Sequence, residues 1–589
     1  MKKIILLLRD CFARNQTVSQ CHFSSLRGAT FASLSAGSGD AAISKRDCFT
    51  PSGFAMTHVL LLRHSRNDRE KKARGVLLGN VPRGNSGERR AASGKWLMSV
   101  LFLLVTIHYP LSTVYANNLA VSTVSLGNVS IGQVTAKAQF NISWDNSWRT
   151  AVNYDAAWVF IKYSTNAGIS WNHATLKTAG TNPAGFSQGT GTGLDIIVPA
   201  DKKGAFLQRS ANGAGSVSTT SIQFVWDYGA DGVISTSTVR VKVFAIEMVY
   251  IPTSAFYAGS GETETSAFYT YPTTTNAYLV GSENAITVGT TSGNLYYALS
   301  TYAGDQTGPI PATFPKGYAA FYMMKYEISQ GQYADFLNIL TSTQASTRYP
   351  NSNGSYRHTI SGVYPNYSAS RPDRACNYLS WVDLCAYADW AALRPFTELE
   401  FEKAARGVSV PTVNEYVWGS TSITASIDIS GISEDGTETI TTAGANCAYN
   451  NNAYTGGDAA GQSDVTPYPY TRGPLRCGIF ATGSSTRVTS GAGYYGVLEL
   501  SGNLWERPVS VGNPTGRAFT GGHGNGALDG TGNANVTNWP GTDAVGAGHR
   551  GGNWNFGATH ARASARYNAA SPDAYRGYYF GGRVARTSP

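Results

Sequence analysis

"LSWVDLCAYADWAALRPFTELEFEKAARG", Leu379 to Gly407, holds two helix starts and one helix stop in a single short stretch. Ser380 with Asp383 three residues later predicts the first N-terminus. Thr397 with Glu400 is a fuller capping box for the second, and Gly407 ends it. A third start lies upstream in "SQGQYADFLNIL", where Ser329 and Gln332 form the box and Tyr333, Phe336, Leu337 and Leu340 share one face. Beyond residue 408 the pattern predicts no helix, only loops and short strands over about 180 residues. A core so poor in regular structure must be held by disulfides, ions or buried polar networks. Glu398, Glu400 and Glu402 fall in the second helix, and the ordinary role of acids in a first turn is helix support.

Residues 117–246 read as all-β. "AQFNISW" puts Phe140, Ile142 and Trp144 on one face, "AAWVFIKYST" reads as a central strand, and Val239, Val241 and Val243 alternate with Arg240 and Lys242. Gly- and Asn-rich turns separate these runs, so an immunoglobulin-like sandwich is expected, followed by a second unit over 247–589. Asp145 and Asp155 lie close to tryptophans, where turn and core roles outweigh a ligand edge.

The chain carries a net charge of +9, but 17 of its 46 Lys/Arg and 6 of its 37 Asp/Glu precede Asn117, which leaves 29 and 31 for the rest. The remainder is nearly neutral, which argues against nucleic acid as a partner. The basic segment contains Lys95, an apolar run from Val100 to Ile107 and the small-residue site Val114-Tyr115-Ala116. That pattern predicts a secretory signal peptide over 95–116, and the run is too short to span a bilayer. Residues 1–94 have no apolar periodicity and read as a non-native or disordered basic extension. The mature protein is then expected to be secreted, periplasmic or on the cell surface, with no transmembrane segment. Export makes Cys376, Cys385, Cys447 and Cys477 disulfide candidates, and the local pairings 376–385 and 447–477 are the expectation among three.

Several separated motifs together resemble one family. "MVYIPTSAFYAGS" (248–260), "FYMMKYEISQGQYADFL" (321–337), the opening stretch, "EYVWGS" (415–420), "YGVLELSGNLWER" (495–507) and "RGGNWNFG…ARASARYNAA…GGRVAR" (550–586) follow, in order, the motifs of the formylglycine-generating enzyme, or sulfatase-modifying factor, family. The resemblance implies a C-type-lectin-like α+β fold with little regular secondary structure and structural calcium. It implies nothing about 117–246.

The family's enzyme oxidises a cysteine with a cysteine pair and copper. Alignment on "RGGNW" puts Phe556 and Ala561 at those two positions, and neither supplies a thiolate for copper or exchange. No catalytic residue is therefore assigned, and copper is not expected. The resemblance places substrate near Asn553, Trp554, Asn555, Phe556 and His560, with Tyr575 and Tyr578 adding aromatic surface beside Tyr579 and Phe580. Such residues suit an extracellular glycan or protein. Arg562, Arg566 and Arg583 are expected to pair with buried acids. The resemblance also implies calcium on Glu499, Glu506 and the carbonyls of Gly502 and Leu504, hard oxygen donors of mixed type. A second site would use Asn446 and the Cys447 carbonyl, with Asp458 or Asp464. His523 reads as a solvated loop residue. The leading reading is an exported non-catalytic binding or surface-assembly protein. The alternative is an oxidoreductase-like member of the same family with a divergent active site.

Overall fold

The computed structural model describes residues 116–589 except 261–263, 265, 299, 301, 351–354, 428, 430–438 and 451–471. The signal-like run, everything before it, and Asp458 and Asp464 lie outside the described residues. The architecture is largely β with few helices, and no described helix is long and apolar enough to cross a membrane.

Two antiparallel sheets enclose the first core. Strands β1 (Ala120–Ser130) and β2 (Thr135–Arg149) join a later strand, Gly213–Trp226, and the short Thr190–Gly191 in one sheet. The other sheet is built on β3 (Asp155–Ser164), β4 (Leu194–Val198) and β5 (Ala205–Arg209). Phe140, Ile142 and Trp144 of β2 meet Ala157, Val159 and Ile161 of β3 between the sheets. The alternate β3 residues Ala156, Trp158 and Phe160 enter a second core with the helices, so β3 is buried on both faces. Asp155 has a core role, accepting from Trp144 Nε1 at 3.0 Å and Ser147 Oγ at 2.7 Å.

Number the Gly213–Trp226 strand β6; strand β7 (Arg240–Ile251) then joins the two regions. It pairs with β3 from Arg240↔Ser164 to Val249↔Asp155, while its last four residues also pair with β8 (Phe321–Met324), which pairs in turn with β9 (Ala585–Thr587). Positions 246 and 247 therefore lie inside a continuous strand. Trp158 Nε1 donates to Ala391 O at 2.8 Å, Asn153 Nδ2 to Tyr495 O at 2.8 Å and Arg586 Nη2 to Asp201 at 2.6 Å, closing the same junction.

All three helices expected from their caps are formed: α1 (Gln330–Leu337), α3 (Trp381–Trp390) and α4 (Glu398–Arg406), each with a complete capping box. Helix α2 (Ser342–Arg348) was not foreseen, because its "STQASTR" has no apolar period, although Thr341 and Gln344 cap it. Among the described residues, two short helical turns, Pro514–Arg517 and the 3-10 turn Ala558–Ala561, follow residue 408 where no helix is expected.

Helix α4 is buried along its whole length, and its acids do far more than support the helix. Glu398 takes Arg566 at 2.7 and 3.0 Å and faces Arg550 at 3.3 Å. Glu400 takes Arg394 through two bonds of 2.6 and 2.8 Å. Glu402 takes Arg550 at 2.7 Å, Arg406 at 3.1 Å and the Gly259 N–H at 2.7 Å, and Arg406 also grips Glu415. The guanidinium of Arg566 lies 3.9 Å over Phe268 and 4.2 Å from the Tyr297 ring centre. Burial pushes the Glu402 carboxyl up, but Arg550 and Arg406 outweigh it and hold the group below its ordinary value. Such charges persist without water because each has opposite charge and fixed hydrogen bonds around it.

The expected disulfides 376–385 and 447–477 are not formed. All four cysteines are buried free thiols, packed as small apolar groups; Cys447 Sγ lies 3.2 Å from Ser501 O. Breaking the ion network should be costly: Arg566→Met should lower stability by about 3–5 kcal/mol in urea denaturation. Lys177→Ala, at the more exposed pair with Asp227, should change it by less than about 1 kcal/mol. Equal effects would show that the network carries no special weight. Glu402 adds stability above the ordinary glutamate range, and this is lost as pH falls through its depressed value.

Candidate functional site

The "RGG" of the last motif, Arg550 to Gly552, is a consequence of packing. Arg550 reaches into the α4 acids, and the chain then crosses Leu500 so closely that a Cβ on Gly551 (φ 83°) would stand 2.3 Å from the Leu500 carbonyl oxygen. Asn553 follows, buried, its Oδ1 accepting from the backbone N–H of Asn555 at 2.7 Å and of Phe556 at 3.2 Å. This turn lifts Phe556 towards the surface. Trp554 points the other way, buried between Tyr356 and Tyr578, with Nε1 donating to Tyr578 O at 3.3 Å. Asn553 and Trp554 thus shape the site from beneath, and a ligand cannot reach them from solvent.

The remaining predicted residues come together in one aromatic cluster. Phe556 lies 5.1 Å from His560, 5.8 Å from Tyr579 and 5.9 Å from Trp505, ring centre to ring centre. His560 in turn lies 5.3 Å from Tyr567. Tyr575 hydrogen-bonds Tyr579 hydroxyl to hydroxyl at 2.8 Å and packs on Phe580 at 5.2 Å, while Tyr578 stacks on Tyr356 at 4.2 Å. Trp505 and Phe580 are buried and form the floor; Tyr567 and Tyr575 stand 49 % and 52 % exposed at the rim. Asn555 is half-buried beside Phe556. Trp505, Tyr567 and Tyr356 are additions to the expected set: "GNLWE" is marked in the sequence by its oxygen donors, and Tyr356 lies far away in sequence.

Burial holds His560 below the usual histidine range and His549 well below it, with Arg507 adding to the shift at His549. Both rings are neutral at pH 7; His560 is half-buried in the cluster, and His549 is buried and stacked on Phe580 at 4.6 Å. Ala561, buried under the cluster, accepts Ser501 Oγ at 2.6 Å through its carbonyl. Burial also raises the thiols of Cys376, Cys385, Cys447 and Cys477, so they stay protonated, and thiols are poor nucleophiles and ligands in that state.

The expected calcium residues Glu499, Gly502, Leu504 and Glu506 are all buried, but among the described residues no group of three or more His, Cys, Asp or Glu side chains is placed to hold a metal ion. Glu506 Oε1 accepts Arg583 Nε, and Glu499 Oε1 accepts the Gly478 N–H at 2.6 Å. The other oxygen of each carboxylate is buried without a hydrogen-bond partner. Burial pushes Glu499 up to about 7. Glu327, absent from the sequence reading, stands beside them, accepting from Leu504 N at 2.9 Å and from Asn503 Nδ2, and burial with Glu506 nearby drives it well above its ordinary value. Gly502 lies where a Cβ would meet Cys447 Sγ at 2.4 Å, which accounts for the glycine. Asn446 is elsewhere, bridging Thr424 N and Val488 O at 3.0 Å each. Arg566 and Arg583 pair with buried acids, whereas Arg562 lies half-buried beside Tyr416. His523 departs from the solvated reading: its Nε2 accepts the Thr587 N–H at 3.0 Å.

A family model for the sulfatase-modifying factor enzyme 1-like domain matches residues 281–588, just over half of the chain. No curated protein matches it. The chain belongs to the formylglycine-generating enzyme, or sulfatase-modifying factor, family.

Proposed function

We propose that this is an exported, non-catalytic binding or surface-assembly protein whose family domain recognises a glycan through the aromatic cluster of the 550–580 loops. The supporting observation is the pairing of two half-exposed tyrosines, Tyr567 and Tyr575, with a buried aromatic floor and a neutral His560. Sugar rings present apolar C–H faces that pack on aromatic rings, and their hydroxyls bond to imidazole, amide and phenol groups. Phe556 and Ala561 supply no thiol at the positions where the family's cysteines are expected, so the same surface is suited to holding a ligand without oxidising it. The C-type-lectin-like reading of the family domain and the immunoglobulin-like reading of the preceding sandwich belong to this proposal.

Structural calcium is also part of it. The unpartnered oxygens of Glu499 and Glu506, with the carbonyls of Gly502 and Leu504, are the hard donors such an ion takes. The ion would add positive charge to buried carboxylates that Arg583 already faces and would fix the loop carrying Trp505. Chelator should then lower the melting temperature and calcium restore it, with about 2.7 kcal/mol of stabilisation at a hundredfold excess over Kd. No shift in either direction would remove calcium from the account.

A glycan array followed by titration tests the main reading. Tyr575→Ala or Tyr567→Ala should weaken the best glycan about tenfold, which one lost aromatic contact can account for, and leave the melting temperature nearly unchanged. Binding to peptides with no glycan bound would overturn the glycan reading in favour of a protein ligand.

A further inference from the structure

The first residues after the expected cleavage site are tied down in an unusual place. Asn117 Nδ2 donates to Glu247 Oε1 at 3.0 Å and to the Asp145 carbonyl, while its Oδ1 accepts Asn146 Nδ2 at 2.7 Å. Asn118 Nδ2 donates to Asp145 Oδ2 at 2.6 Å. Leu119 is buried and, with Glu247, Met324, Tyr326 and Glu327, lines a cavity of ≈ 10 Å³, room for roughly one water-sized group.

The charges around this point do not balance. Asp155 and Glu247 are both buried and share one cation, Lys325, whose Nζ lies 2.6 Å from Glu247 Oε1 and 4.0 Å from Asp155 Oδ2. Glu247 Oε2 is buried with no hydrogen-bond partner. Burial, with Asp155 adding to it, pushes Glu247 up to about 7 against the pull of Lys325. A second cation beside Glu247 would correct the deficit. The backbone nitrogen of Asn117 lies within about 5 Å of its own Nδ2 by covalent geometry, and that Nδ2 is already on Glu247.

We propose that cleavage after Ala116 creates this cation: the freed α-ammonium of Asn117 is captured by Glu247 and locks the mature N-terminus into the junction between the sandwich and the family domain. A host signal peptidase would add water across the Ala116–Asn117 amide. The hydroxyl goes to the Ala116 carbonyl carbon, and the Asn117 nitrogen leaves as an amine that takes up a proton at neutral pH. The capture adds a stabilising contact that only the processed chain can make. The cleavage rests on the export reading; the capture can be tested without it.

The test uses the full chain carrying a site-specific protease sequence placed wholly ahead of Asn117, so that cutting leaves Asn117 first. A companion carries the site ahead of Val114 and keeps three extra residues after cutting. The chain cut at Asn117 should melt a few degrees higher than its companion, and its α-amine should react with an acylating reagent at least tenfold more slowly. Glu247→Gln should abolish both differences; the acylation comparison in the unsubstituted chain decides the matter if that variant fails to fold. Equal melting and equal acylation would overturn the capture. Separately, the intact mass of the chain produced in an exporting host reads the cleavage itself. A product not beginning at Asn117 would overturn the processing step while leaving the capture result standing.

Discussion

The rest of the structure depends on the burial of helix α4. Its three glutamates are buried, where an unpaired carboxylate would cost several kcal/mol, so each must meet a cation or a donor. Arg394 and, through Arg406, Glu415 are supplied locally, while Gly259, Arg550 and Arg566 arrive from stretches more than 140 residues away. Four of the six motifs that mark the family contribute at least one of them. Those four motifs are therefore ends of one ion network. That network substitutes for the ladders and helices a loop-rich domain lacks, and the free thiols of the four cysteines show that disulfides do not share the task.

The sandwich is tied rigidly to this core. Strand β7 is shared by the sheet of the sandwich and the short strands of the family domain, and β3 is buried between the opposite sheet and the helices. Trp158 illustrates the consequence, with one indole in the second core, a hydrogen bond to Ala391 and the Arg586 guanidinium 4.3 Å above its ring. The strand pairing thus makes the sandwich and the family domain parts of one continuous sheet.

Helix starts and strand faces were legible because caps and periodicity are local signals: Ser329, Ser380 and Thr397 cap as read, and Phe140, Ile142 and Trp144 face inward as read. The role of Glu398, Glu400 and Glu402 was not legible, since a charged helix with partners 150 residues away looks like a solvated one. At the site, Phe556, His560, Tyr575 and Tyr578 join one cluster, but Asn553 and Trp554 turn inward. The turn that separates them depends on an Asn side chain bonding its own following backbone, which composition does not reveal. Trp505 and Glu327 enter through tertiary packing alone. The cysteines misled because export suggests pairing, whereas each was placed by the core as a small buried side chain.

The central claim is that a family scaffold built to oxidise cysteine here carries an aromatic binding surface in place of a thiol pair. Anaerobic titration of the full chain with Cu(I), with reactive thiols counted before and after denaturation, tests this most directly. The account predicts thiols that react only once the protein is unfolded, and no stoichiometric tight copper on the native protein. One tightly held Cu(I) per chain, with two thiols protected by it and oxygen consumed in the presence of a cysteine peptide, would contradict it.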